Sequence, residues 1–297
     1  MRFPGIIPAV TTPFDAAGEI DFDGLERNLA VLLDAGVQGI VATGTMGEAG
    51  SLSAAERRTV VQAVVRAAGD RVPVIAGVSA GTPAAAIAFA ADAADAGAGA
   101  LMLLPPLGYR GDVREIEAFY RSVAEAAGLP LMAYNNPEAS GTDMTPDVIV
   151  HLYEEIDAVV AVKECSGDAR RIPALLNAAP GLEVLVGGDD WALEGFCAGA
   201  TGWVSGVADV APRECVALFE ACHGGDLETA RELYRRLLPI ARFDMTPKLV
   251  QYFKAAMDEV GLTGGACRPP RLPLLDDERA ALQEALAVLR EGAVAAG

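Results

Sequence analysis

A chain of 297 residues with 52% hydrophobic composition is long enough to bury a large core, as one big α/β domain or two ordinary ones, and it is not the composition of a disordered protein. Its formal charge of −18 repels nucleic acid and anionic membrane surfaces at long range. Screening confines that general field to roughly 8 Å, so local donors can still capture a small anionic substrate.

The start, "MRFPGIIPAV", has no basic region followed by a sustained apolar stretch, and the alanine-rich run near 84 to 104 is broken by Asp92 and Asp95. Export and membrane spanning are therefore unsupported, and a cytoplasmic protein is expected. Eight apolar, β-branched runs follow one another: "GIIPAVT" (5 to 11), "GIVAT" (39 to 43), "VPVIAGV" (72 to 78), "ALMLLP" (100 to 105), "LPLMAY" (129 to 134), "AVVAVKE" (158 to 164), "EVLVGG" (183 to 188) and "TGWVSG" (201 to 206). Near-continuous hydrophobicity fits strands covered on both faces, as in a parallel sheet with helical crossovers. Amphipathic segments at 23 to 35, 53 to 67, 84 to 96 and 112 to 127 lie between them, opened by Asp23, by Ser53 with Glu56, and by Asp112 with Glu115. This alternation matches a (β/α)8 TIM barrel over residues 1–211 better than a doubly wound sheet. From 212 to 297 the pattern turns to helices alone, "PRECVALFEACH", "DLETARELYRRLLPIA", "PKLVQYFKAAMDEV" and "DERAALQEALAVLREGA", with "GGACRPPRLPLL" as a Pro-rich turn before the last. The expectation is a C-terminal helical extension.

Cysteines 165, 197, 215, 222 and 267 are odd in number and never in CxxC spacing, which points to reduced thiols rather than disulfides or zinc. His151 and His223 are the only histidines, so a His-based triad or multi-His metal site is poorly supplied, and Cys222-His223 reads as packing and capping at a helix end. No dinucleotide or Walker motif follows any strand. No metal and no organic cofactor is expected.

In such a barrel chemistry collects at the C-terminal strand ends. Lys163 closes the sixth apolar run, where lysine is costly to bury. Desolvation there would lower its pKa and free an amine able to attack carbonyl carbon. The competing reading is a stem packed on the barrel with its head snorkelling outward or paired with Glu164. Tyr134 ends the fifth run and would face Lys163, either moving protons during imine formation or serving as a core aromatic. "YNNP" adds a rigid exit, Asn136 being held extended by Pro137. In "GTMGEAGSL" the glycines would let the backbone N–H groups of Gly44, Thr45 and Met46 converge on a carboxylate, although a plain turn capped by Ser51 or Ser53 needs the same glycines. Ser205 and Gly206, ending the eighth run, complete the candidate substrate-binding set.

"GTMGE" after the second strand, "YNNP" after the fifth, "VKECSGD" on the sixth and "GGDD" after the seventh resemble, in order and spacing, the dihydrodipicolinate synthase and N-acetylneuraminate lyase family. The resemblance runs from "GIIPAVTTPF" through the last helix. It implies a (β/α)8 barrel with a helical extension, a homotetramer or homodimer, and a Schiff base between Lys163 and C2 of a small anionic 2-oxo acid or imine, with Tyr134 as proton shuttle. It also implies carboxylate binding by Gly44, Thr45 and the backbone after them. Three positions depart from dihydrodipicolinate synthase proper: Met46 and Leu107 stand where a threonine and an intersubunit tyrosine form a relay, and Ala139 stands where an arginine grips a second carboxylate. Losing a charge-assisted contact of that kind matters by roughly 1.5–3 kcal/mol, with Tyr109 or Arg110 as possible substitutes. The tail "FDMTPKLVQYFKAAMDEVGLTGGACRPPRLPL" looks like the branch that includes 1-pyrroline-4-hydroxy-2-carboxylate deaminase. That deaminase is the first expectation; 4-hydroxy-tetrahydrodipicolinate synthase and the aldolases or dehydratases of 2-keto-3-deoxy sugar acids are alternatives. A non-catalytic 2-oxo acid binding protein on the same barrel is the rival from another class.

Overall fold

The computed structural model describes residues 2–291 and turns every one of the eight apolar runs into a strand: β1 (Gly5–Pro8), β2 (Ile40–Ala42), β3 (Val74–Gly77), β4 (Ala100–Leu103), β5 (Leu131–Asn135), β6 (Val159–Glu164), β7 (Glu183–Val186) and β8 (Gly202–Ser205). All neighbours pair in parallel, in the order β1-β8-β7-β6-β5-β4-β3-β2. The ring closes between β1 and β2 through a parallel bridge from Ala9 to Val41, with the Val10 N–H donating to the Val41 carbonyl at 2.9 Å. All strand residues but Val160 and Glu183 are buried. Each Ile, Leu or Val so covered contributes about 1.5–3 kcal/mol, which is why the strands read as unbroken apolar runs.

Twelve helices follow in chain order: α1 (Phe22–Asp34), α2 (Ala54–Ala68), α3 (Pro83–Asp95), α4 (Val113–Ala127), α5 (Pro137–Ser140), α6 (Pro146–Glu155), α7 (Arg171–Ala178), α8 (Ala192–Cys197), α9 (Pro212–His223), α10 (Leu227–Ala241), α11 (Leu249–Glu259) and α12 (Asp276–Glu291). Capping boxes start α2 at Ser53/Glu56 and α4 at Asp112/Glu115. Helix α1 begins one residue earlier than its expected cap: Asp21, not Asp23, accepts from the Gly24 N–H. Its carboxylate is the one placed before the first helical turn, where orphan donors need an acceptor.

Helix α9 packs on β1 and α8, in the eighth crossover position of the ring, and α10 packs on α9 and α12. The segment Arg242–Met245 makes a short 3₁₀ turn between α10 and α11, and that turn rests on the Asp189–Trp191 turn after β7. The extension thereby reaches the mouth of the barrel. Residues 292–297 of the expected extension, including the end of its last helical stretch, lie outside the described residues. Among the described residues no helix is long and apolar enough to cross a membrane.

Candidate active site

Register places the two chemical candidates side by side. Tyr134 and Lys163 are direct partners across β5 and β6, and Asn135 and Glu164 are the next pair. Because side chains alternate along a strand, the two pairs point to opposite faces. Glu164 and Asn135 face outward: Glu164 accepts from the Ser166 N–H at 2.6 Å and from Asn135 Nδ2 at 3.1 Å, while Asn135 Oδ1 takes the Met144 N–H. Glu164 is thus committed elsewhere, and the sequence alternative of a Lys163–Glu164 pair is not what forms.

Lys163 faces inward and is only 7% exposed. Its Nζ lies 4.5 Å from the centroid of the Tyr134 ring, with no hydrogen-bond partner among the described residues. It opens into a cavity of about 160 Å³ whose wall includes Gly44, Thr45, Met46, Tyr134, Cys165, Gly206 and Asp244. Gly187 makes the lysine's path possible: a Cβ there would stand 2.9 Å from Lys163 Cγ and 2.8 Å from Cys165 Cβ. The Tyr134 hydroxyl accepts from Asn136 Nδ2 at 3.0 Å, and Asn136 is itself fixed as the cap of α5 by the Ala139 N–H. The extended geometry expected before Pro137 is present, with φ −139° and ψ 93° at Asn136.

The electrostatics correct one expectation. Burial, the largest influence, works to lower the Lys163 pKa, but the acidic groups around it, Asp244 and Asp189 among them, outweigh it, and the amine is held above its usual value rather than below. Tyr134 and Cys165 are each pushed up to about 12 by burial, so both are neutral near pH 7 and the carboxylates supply the negative field there. Asp189 and Asp244 are raised as well, burial being the largest cause for each. The Asp189 carboxylate nevertheless has three donors: Trp203 Nε1 at 2.9 Å and the N–H groups of Gly206 at 3.2 Å and Val207 at 2.7 Å. Hydrogen bonds of that number favour its ionised form. The resting amine is an ammonium.

The turn after β2 leaves two amides free. Thr12 Oγ1 donates to the Gly47 carbonyl at 2.8 Å and pins the loop, whereas the N–H groups of Thr45 and Met46 have no partner among the described residues. Both residues line the cavity, as do Gly44 and Gly206. Ser205 does not. It is fully buried, and its hydroxyl accepts from the Ala208 N–H at 3.1 Å, capping the turn behind the wall. Glu48, the last residue of "GTMGE", also points away from the cavity, to Lys254 at 2.6 Å.

Among the wall residues that sequence reasoning missed are Cys165, Glu138, Asn136 as a partner of Tyr134, and above all Asp244. Ala139 lines the cavity where an arginine was missing, and neither Tyr109 nor Arg110 is on the wall. Tyr109 is exposed and its hydroxyl donates to Glu115 at 3.0 Å, so within the chain it does not supply the contact missing at Ala139. Apart from Lys163 the cavity wall holds no Lys or Arg, while Glu138 and Asp244 bring two carboxylates. No group of three or more metal-ligating side chains is assembled among the described residues.

At the mouth of this barrel an unpartnered buried lysine, a tyrosine and a turn with free amides share one cavity. The model of the dihydrodipicolinate synthetase family matches residues 2–289, and the chain belongs to that family. It is 38% identical over 286 residues to the 4-hydroxy-tetrahydrodipicolinate synthase of Methanothrix thermoacetophila, covering 96% of each chain. It is 36% identical over 287 residues to the enzyme of the same name from Methanopyrus kandleri, again covering 96% of each. Among solved structures, a putative dihydrodipicolinate synthetase from Pseudomonas aeruginosa superposes with a TM-score of 0.92 at 37% identity, covering 97% of this chain and 100% of that one.

Proposed function

We propose that Lys163 forms an imine with C2 of a small 2-oxo acid, or attacks the equivalent carbon of its cyclic imine, with Tyr134 moving protons and the amides of Gly44, Thr45 and Met46 holding the carboxylate. Membership of the family supports a lyase acting on a pyruvate-type substrate. The observation that carries the residue assignment is the Tyr134–Lys163 register pair opening together into one cavity. Borohydride reduction in the presence of pyruvate, read by peptide mass spectrometry, should place the adduct on Lys163. Turnover by protein that never traps substrate would sink the assignment.

Two finer readings compete. The shared name of the relatives supports 4-hydroxy-tetrahydrodipicolinate synthase, which condenses pyruvate with aspartate semialdehyde, and that reading has the broader support. Deamination of 1-pyrroline-4-hydroxy-2-carboxylate is supported by the wall itself: Met46 and Ala139 are apolar, no arginine is on it, and Glu138 and Asp244 are its two carboxylates. A side-by-side assay, following ammonia from the hydroxypyrroline carboxylate against consumption of aspartate semialdehyde with pyruvate, separates them. A homodimer or homotetramer is part of the same proposal, measurable by light scattering.

A further inference from the structure

Asp244 comes to the cavity from the helical extension, not from a strand end. Its Oδ2 accepts the main-chain N–H of Asp189 at 3.1 Å, which fixes the carboxyl group, and its Oδ1 has no partner among the described residues. Lys163 and Asp244 act on each other's charge, so the two share one electrostatic environment. Once Lys163 has become an imine and the Gly44–Met46 turn has taken the substrate's carboxylate, the remaining polar groups of the wall are hydrogen-bond acceptors and neutral donors, with no further Lys or Arg. A second carboxylate at the distal end of the substrate would meet the half-buried Asp244, with the exposed Glu138 at the rim, and a like charge beside a carboxylate that burial already disfavours is costly. A distal hydroxyl would find an acceptor with a free oxygen.

We propose that Asp244 selects the substrate: it receives a hydroxyl two carbons beyond the imine carbon and protonates that hydroxyl as it leaves, so the protein takes a singly charged 4-hydroxy-2-oxo acid, open or closed as its cyclic imine. This deepens the proposed function and rests on its imine at Lys163. With Lys163 bonded to C2, a C3–H bond breaks, its proton goes to solvent and its electron pair forms C2=C3. That pair then forms C3=C4 as the C4–O bond breaks, and the imine at C2 is restored. The departing oxygen takes the Asp244 proton and leaves as water, and Asp244 is a carboxylate again. Nothing is oxidised or reduced. Asp244 receives the hydroxyl as a carboxylate and takes a proton from solvent before the C4–O bond breaks, an uptake favoured by burial, which raises its pKa.

The test uses the full chain as wild type, Asp244→Asn and Asp244→Ala, with two readouts. Ammonia release from 1-pyrroline-4-hydroxy-2-carboxylate reports the whole reaction, and borohydride trapping of pyruvate, which has no C4, reports the imine step alone. The expected result is a fall in kcat of roughly 100-fold or more in both variants, in preparations that still trap pyruvate on Lys163. Ammonia release within threefold of wild type in the variants overturns the proposal. So does loss of trapping together with turnover in folded protein, which would make Asp244 a partner of the amine instead. A wild-type kcat/KM higher for aspartate semialdehyde with pyruvate than for the hydroxylated imine also overturns it. Failure of the wild type to trap any substrate is a different result, and removes the Lys163 imine itself.

Discussion

Two lysines are buried in this molecule, each with its ammonium 4.5 Å from the centroid of an aromatic ring, and their surroundings assign them opposite work. Lys254, on α11 and 1% exposed, is saturated: its Nζ donates to Glu48 Oε1 at 2.6 Å and to the Ala266 carbonyl at 2.7 Å, beside the Phe14 ring. Lys163, on β6, has the ring of Tyr134 and open cavity, with no acceptor among the described residues. A buried ammonium with its acceptors in place is a fastening, since each partner satisfies the other's desolvation. One left without them is free to exchange its proton and form a bond. Burial alone therefore does not mark a reactive lysine; burial without partners does.

The comparison breaks first at Lys163. Replacing it with alanine or arginine should lower turnover by at least about 10³-fold, as removal of a nucleophile does, and abolish borohydride trapping. The thermal midpoint should fall only modestly, because no hydrogen bond of the amine is lost and only its attraction to the neighbouring carboxylates goes. Full activity in either variant would mean the amine is a bystander.

Lys254 should behave in reverse. Lys254→Met leaves Glu48, which is 0% exposed, with its charge facing only the more distant Arg271 at 3.4 Å and the Arg268 N–H at 3.1 Å. Breaking one side of a buried pair costs about 3–5 kcal/mol, to be read by urea or thermal unfolding. The double variant Lys254→Met with Glu48→Gln should recover part of that loss, since it removes the stranded charge as well. Additive losses would show that the pair is not a coupled unit.

How much of this was legible in the sequence follows from where each group comes from. Lys163, Tyr134 and the turn at Gly44 stand at strand ends, and a strand end in a barrel is a position that hydrophobic pattern alone can locate. Ser205 stood at such an end too, but a small residue there can face the cavity or cap the next turn, and its hydroxyl went to Ala208. Asp244 had no local signal, because only the folding of α10 and α11 back over the barrel mouth brings its turn to Asp189. The sign of the Lys163 shift was lost for the same reason. Desolvation is visible from an apolar run, whereas opposing carboxylates arrive from β7 and from the extension. Glu48 was read only as part of its motif, since its partner lies on α11.

That corrected sign makes a sharper test of the unpartnered lysine. With a pKa above the ordinary 10.5, the free amine is at most about one part in 10³ at neutral pH. The trapping rate with pyruvate should then climb about tenfold per pH unit from pH 7 to 9. A plateau in that window would mean that desolvation wins after all and the amine rests uncharged.

The smallest effect sharpens the saturated side of the comparison. The Pro-rich turn that supplies Ala266 to Lys254 is tied to α2 by Arg268, whose guanidinium meets Glu56 at 2.6 Å. The Arg268 hydrogen bond is the largest cause holding Glu56 down to about 2, from an ordinary 4.5. A carboxylate whose folded pKa is depressed contributes stability that is whole above its unfolded pKa and lost as pH falls through the folded one. The contribution should therefore be intact at pH 5 and fade toward pH 2. Glu56→Gln keeps a carbonyl for the Ser53 N–H in the capping box while removing the charge, so it isolates the ion pair from the cap. The variant should lose about 1 kcal/mol at pH 7 and approach the wild type as pH drops toward 2. A loss that is the same at both pH values would assign the effect to the cap, and would leave the turn around Lys254 held by its buried pair with Glu48 and not by this outer one.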